Sequence, residues 1–481
     1  MSKKLFSWLS LALFTVLLSF TVRLTAVADT PKHYTELQFE PLPEIELPEY
    51  ERYELDNGMV VYLLEDRDLP LVGGTAIVRT GSRYEPADKV GLAQLTGTVM
   101  RSGGTHYRSA AELDSILEQK AASVETSIDT TSGSASFNTL TEDLDTVFPL
   151  FAEVLRQPVF APDKLAIAIN QQQGAIARRN DDPQEIADRE FNKVLYGETS
   201  PYARTIEYKT LDNVSRQDLI DFYQTYFRPE NIILGIVGDF EADEMIERVK
   251  KTFGDWQVDT SVPSLEPPAA SQKYKNGLFA VDRPQQTQSS ILLGHIGGQF
   301  DNPDYPTLSV LNGVLNGFGG RLFNEVRSRQ GLAYSVYGSW SPSYDFDGMF
   351  IAGGQTQTDN TVPFIKSTIG EIEKLRTKLI TDQELINAKE SILNSFVFNF
   401  QNPSQTLSRL MRYEYFDYPE NFIFKYQEQV EDTTKEDILQ VAKEYLQPDR
   451  LITVVVGDLQ TMNPPLSSLK AEVNLVDVSL P

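Results

Sequence analysis

The sequence predicts an α+β protein of two homologous domains, each a mixed, mostly antiparallel sheet covered by helices. Three observations carry this. First, landmarks recur at one offset: Asp218, Tyr226, Pro229, Gly238 and Asp239 return as Asp437, Tyr445, Pro448, Gly457 and Asp458, each 219 positions later. A constant offset, with a helix and then a strand around each set, marks an internal duplication. Second, short β-branched runs alternate with longer stretches of helical periodicity, and some strands are joined by tight turns. Third, 481 residues exceed what one hydrophobic core holds, whereas two units of about 220 residues fall within the usual domain range.

Taken in order, residues 1–28 stand apart. Lys3 and Lys4 precede an apolar run over 5–22, and Ala26-Val27-Ala28 forms a small-x-small site before Asp29. This is the layout of a cleaved signal peptide, and Ala-Val-Ala favours it over an uncleaved anchor. No other stretch reads as a membrane span. Residues 29–50 are a proline-rich, extended lead-in.

The N-terminal domain is expected over 51–254. Asn57-Gly58 signals a hairpin turn between two strands. A third strand over 71–79 ends at Gly81, and helical periodicity follows over 90–100, 109–122, 141–156 and 162–179. Asp181-Asp182-Pro183 invites a metal reading, but Asp before Pro suits a helix cap followed by the first helical turn. A helix over 215–227 leads to a strand over 232–237 and another helix ending at Phe253. Residues 255–276, with Pro263, Pro267 and Pro268, read as the linker. The second domain is expected over 277–465, with a tail over 466–481. Its early Gly297–Pro303 text resembles Gly81–Pro86.

Composition removes several functions. The formal charge of −25 becomes −28 without the segment 1–28, so phosphate backbones are repelled and nucleic acid is not an expected partner. There are no cysteines, which excludes disulfides, thiol catalysis and cysteine-ligated metals. The three histidines, His33, His106 and His295, lie in different elements without paired spacing. No serine-hydrolase elbow, phosphate loop or dinucleotide fingerprint is present.

The most telling stretch is 316–340. A glycine-rich turn at Gly317, Gly319 and Gly320 leads into a short amphipathic segment carrying Leu322, Phe323 and Val326. Gly331 then hands the chain to a strand-like run over 334–340. Arg327 and Tyr334 flank that turn and can converge, although an isolated Arg and Tyr would ordinarily be a surface cation and a core-edge ring. With Thr80-Gly81-Ser82, Gly91-Leu92-Ala93 and Asp181-Asp182-Pro183, the stretch resembles the pitrilysin/insulinase family of zinc peptidases, over about residues 45–460. Its short bacterial members are similar to the mitochondrial processing peptidase.

In active members the helix after Gly-Leu-Ala carries His-x-x-Glu-His. Two imidazoles one turn apart hold Zn²⁺, and the Glu is the base for its water. Here those positions are Gln94, Gly97 and Thr98, and the distal glutamate position falls at Gly174 and Ala175. Neutral oxygen donors do not make a tight zinc site, so none is expected in this chain. The family's second-domain pair, which contacts substrate and stabilises the transition state, matches Arg327 and Tyr334. Gly319, Gly320 and Arg321 match the adjoining loop. The resemblance therefore implies a zinc-free subunit of an exported two-chain metallopeptidase, with zinc and the base on a homologous partner and peptides as substrate. The competing expectation is a non-catalytic peptide-binding or assembly protein of the same fold.

Overall fold

In a computed structural model the described residues are 45, 47–258, 265–316 and 319–480. The signal segment, most of the lead-in, residues 259–264 of the linker, and Gly317 and Phe318 lie outside them. Leu47–Pro481 forms one compact unit.

Its first sheet comprises β1 (Glu51–Glu54), β2 (Val60–Glu65), β3 (Leu71–Val78), β4 (Ser123–Ile128), β5 (Gly133–Leu140) and β6 (Ile232–Gly238), ordered β1-β2-β6-β3-β5-β4. β2 runs parallel to β6, and the remaining pairs are antiparallel. The helices of this half are α1 (Leu92–Ser102), α2 (Ala110–Gln119), α3 (Leu144–Arg156), α4 (Pro162–Arg178), α5 (Pro183–Tyr196), α6 (Tyr208–Asp212), α7 (Arg216–Tyr226) and α8 (Ala242–Phe253).

The second sheet repeats the first. It contains β7 (Gly277–Asp282), β8 (Gln288–Ile296), β9 (Ala333–Ser341), β10 (Met349–Gln357), β11 (Ile452–Gly457) and β12 (Val473–Leu475), ordered β12-β7-β11-β8-β10-β9. Its helices are α9 (Tyr305–Leu315), α10 (Thr361–Thr377), α11 (Asp382–Phe396), α12 (Pro403–Tyr415), α13 (Phe422–Asp432) and α14 (Lys435–Tyr445). The repeat landmarks occupy matching places: Gly238 and Gly457 end the central strands β6 and β11.

The local causes are those the sequence suggests. Gly58, at φ +83°, closes the β1–β2 turn. Asp182 caps α5 through the amides of Gln184 and Glu185, with Pro183 in the first turn. Ser109 and Glu112 form a reciprocal cap on α2, as do Ser215 and Asp218 on α7.

One face of each sheet packs on helices of its own half, in large apolar cores containing Phe148 and Phe151 in one and Trp340 and Phe364 in the other. The other face is covered by exchange. α5 from the first half lays Ile186, Phe191 and Leu195 on β8 and β11, while α12 from the second lays Leu407, Leu410 and Met411 on β6. Gly235 in β6 makes this seat possible, because a Cβ there would stand 2.2 Å from the Met411 sulfur. The tail contributes β12, parallel to β7.

Candidate functional site

The degenerate zinc position lies on α1. Its N-terminus is fixed by Glu85, whose carboxylate accepts from Gly91 N at 3.1 Å and Ala93 N at 2.9 Å. Burial pushes the Glu85 carboxyl up, and these two bonds pull it back. Gln94 and Thr98 are one turn apart and exposed, whereas Gly97 is buried between them. α1 packs on α4, where Gly174 and Ala175 are also exposed.

At Gly97 the backbone itself has closed. A Cβ would stand 2.6 Å from Ile128 N and 2.8 Å from Ser127 C, and Thr126 Oγ1 donates to the Gly97 carbonyl at 2.6 Å. The residues present do not fit zinc: there is no imidazole or carboxylate on the exposed face, and no room for a side chain at the position of the base. Among the described residues no group of three or more His, Asp or Glu could hold a metal. Next to this helix, β4 is the edge of its sheet. Arg101 donates there to the Val124 carbonyl at 2.9 Å, occupying one outward acceptor of that edge.

The second-domain residues do come together. Phe323–Arg329 is a π-helical turn rather than an ordinary amphipathic helix, with Gln330 N donating to Glu325 O at 3.1 Å. Such turns recur at functional sites. Leu322 and Val326 are buried beneath it. The Arg327 guanidinium lies 5.3 Å from the Tyr334 ring centroid and 4.8 Å from that of Phe323, a cation held between two π faces. Arg329 pairs with Glu325, while Arg327 has no carboxylate partner among the described residues. Tyr334, at the start of the edge strand β9, is 79% exposed.

The loop residues Gly319, Gly320 and Arg321 adjoin this turn. Arg321 forms a forked ion pair with Glu384, at 2.6 and 3.2 Å, and Glu384 also completes the cap of α11 with Thr381. Gly320 is obligatory, since a Cβ there would lie 1.9 Å from Asn316 O. Gly319 has only the Asn387 side-chain amide, at 3.6 Å, near the place of a Cβ.

Sequence reasoning missed two asparagines that fix β9. Asn316 exchanges hydrogen bonds with the backbone of Gly338, and Asn312 does so with Trp340, whose amide donates at 2.7 Å and whose carbonyl accepts at 2.9 Å. Their spacing, one turn apart at the end of an apolar helix, was the available signal. It also missed the stack of Phe323 under Arg327.

The arrangement presents two hydrogen-bond donors, a guanidinium and a phenol. A duplicated α+β chain in which Gln94, Gly97 and Thr98 stand on the first-domain helix, and in which the second-domain Arg327 and Tyr334 lie together, has a metallopeptidase-like fold. Residues 73–207 match the family model described as Insulinase (Peptidase family M16), and residues 213–392 match Peptidase M16 inactive domain. The chain belongs to peptidase family M16.

Among its relatives are an uncharacterized zinc protease, YmxG, of Bacillus subtilis, 27% identical over 74% of this chain and 86% of the relative. Another is the Helicobacter pylori protein named non-peptidase homolog YmxG, 22% identical over 84% of this chain and 93% of the relative. The fold is also shared with the peptidase M16 inactive domain from Pseudomonas fluorescens (TM-score 0.76, 23% identity, 85% of this chain and 98% of that one). The periplasmic protease PqqL of Escherichia coli shares it too (TM-score 0.72, 16% identity, 90% of this chain and 48% of that one).

Proposed function

We propose that this chain is the zinc-free subunit of an exported two-chain metallopeptidase. A homologous partner carries zinc and the general base, and this chain supplies Arg327 and Tyr334 to the peptide carbonyl undergoing attack. The observation that carries this reading is selective loss. The α1 position is blank and closed at Gly97, while Arg327 has no carboxylate partner among the described residues and Tyr334 is exposed.

The chemistry asked of the pair is modest. A guanidinium gives charge-assisted bonds to a developing oxyanion, and a phenol gives one directed neutral donor. Stacking on Phe323 holds Arg327 in place, so little rotamer freedom is lost when it meets charge. Export is proposed from the basic, apolar and Ala-Val-Ala layout of residues 1–28. Among the described residues no helix is long and apolar enough to cross a membrane.

A second reading, a non-catalytic binding or assembly protein, draws on two observations. Arg101 occupies part of the β4 edge, and the Arg327 stack could serve packing alone. Arg327→Ala separates the two. Co-purified with a zinc-bearing homologue as partner, the variant should assemble normally yet lose about 10²–10³ in kcat on a peptide substrate, the usual cost of one oxyanion donor. Unchanged turnover in an intact complex leaves the assembly reading. No association with the homologue, and no effect on its peptidase rate, refutes the two-chain proposal.

A further inference from the structure

We infer that the second half holds a binding site for a peptide C-terminus whose last residue is aromatic or large and aliphatic, well away from Arg327 and Tyr334. A cavity of about 400 Å³ is walled by Phe300, Tyr305, Tyr344, Tyr413, Phe422 and Tyr426. The rings brace one another: Phe300 lies 4.9 Å from Tyr305 and 4.6 Å from Tyr344, and Tyr305 stacks on Tyr426 at 5.1 Å. Ser391, Ser395 and Asn399 complete the wall, so the space is preformed and of mixed polarity, at the small end of the range for ligand sites and suited to one or two residues.

The cavity shares Tyr344 and Arg409 with a second space of about 440 Å³ along α12. Gln405, Ser408, Arg409 and Arg412 line that space from one face of the helix. Among the described residues no carboxylate lines either space, in a chain with 68 acidic and 43 basic residues. Arg409 is aimed by the Asn399 carbonyl at 3.1 Å and its side-chain oxygen at 2.9 Å, and it lies 5.6 Å from the Phe400 ring centroid. Arg412 is exposed, 5.8 Å from the Tyr344 ring centroid. Neither guanidinium has an ion-pair partner among the described residues.

Tyr413 is only 5% exposed and forms part of the cavity wall. Burial holds that phenol protonated, with Tyr344, Arg409 and Arg412 as its electrostatic neighbours. Two guanidiniums and a phenol, all donors, beside an aromatic cavity suit a carboxylate joined to an apolar body. A bare inorganic anion would leave the rings without a partner. β9 separates this site from Tyr334 by roughly 20 Å, at about 3.3 Å per strand residue.

Binding to the full chain alone tests this, so failure of the two-chain proposal does not bear on it. The probes are N-terminally fluorescein-labelled Gly-Gly-Ser-Ala-Leu-Phe as the free acid, its C-terminal amide, and the free acid ending in Gly. Anisotropy should show the free acid binding, with the amide and the Gly-ended peptide each weaker by about tenfold or more, one charge-assisted bond or one buried ring being worth that much. Arg412→Gln, at an exposed position that leaves the fold intact, should weaken the free acid by a similar factor and leave the amide unchanged. Equal affinity for acid and amide overturns the inference, as does an Arg412→Gln variant without effect or no binding at millimolar peptide. Complete displacement by equimolar laurate overturns the peptide and assigns the site to a fatty acid.

Discussion

His295 shows how a residue that looks like a spare histidine is bound into the fold. It is 1% exposed. With its proton on Nδ1 it donates to the Ile296 carbonyl at 2.7 Å, while Nε2 accepts from Gln447 N at 3.1 Å. A second proton would set two N–H groups against each other, and burial has already lowered the pKa from 6.5 to about 4. The sign follows directly. Between pH 6.5 and 4 the unfolded chain binds a proton that the folded chain refuses, so stability falls as pH falls through that window. The loss is about 1.4 kcal/mol per pH unit, and about 3 kcal/mol once pH 4 is reached. Urea unfolding at pH 7.5 and pH 5 should show this drop in the wild type and a smaller one in His295→Gln. At this scale the sequence was informative where spacing matters. Arg327 and Tyr334, seven apart across Gly331, do meet. In the sequence Phe323 stands only as part of an apolar side, because its stacking depends on a π-helical turn that leaves no mark in residue spacing.

At the scale of elements, signals that rest on local chemistry were legible. Asp182-Pro183 caps α5, and the strands around Asn57-Gly58 pair as a hairpin. β4 and β5 were not legible, since their Ser- and Thr-rich text lacks a continuous apolar run and draws its burial from α1 and α3. The same pairing of α1 with β4 decides what the degenerate zinc position can become. Ala is the better helix former by about 1 kcal/mol, so propensity alone says Gly97→Ala stabilises. Geometry says otherwise, because the new methyl meets the strand backbone, not a flexible side chain. Overpacking of this kind costs typically 1–3 kcal/mol, so the net change should be destabilising, read as a lower midpoint in denaturant. The triple variant Gln94→His, Gly97→Glu, Thr98→His should therefore unfold more easily than the wild type and take up no stoichiometric zinc by metal analysis. A stable variant with one bound zinc would show that β4 can withdraw.

For the whole molecule, the duplication predicts two domains, but the exchange of α5 and α12 makes them interdependent. Amphipathic periodicity says that a helix has a face to bury and not which sheet will bury it, so this exchange was invisible in sequence. The counterpart text was there, Asp182-Pro183 in one half and Asn402-Pro403 in the other, each capping its helix through the side chain. The halves are tied further. The Arg83 guanidinium is buried and paired with Asp345 at 2.8 Å, Tyr202 stacks on Phe346 at 4.0 Å, and Arg52 and Tyr62 both bind Glu414. Removing α12 would bare the apolar face of β6 and its neighbours, and removing α5 would bare that of β8 and β11. Neither half then keeps a covered sheet, so cooperative units should not coincide with the sequence repeats. Calorimetry should show one transition, not two. Asp345→Ala, which leaves the Arg83 charge buried without its partner, should lower stability by about 3–5 kcal/mol and move that single transition without splitting it. A melt that resolves into two peaks, with only one displaced by Asp345→Ala, would show that each repeat folds alone and that the exchanged helices dock afterwards.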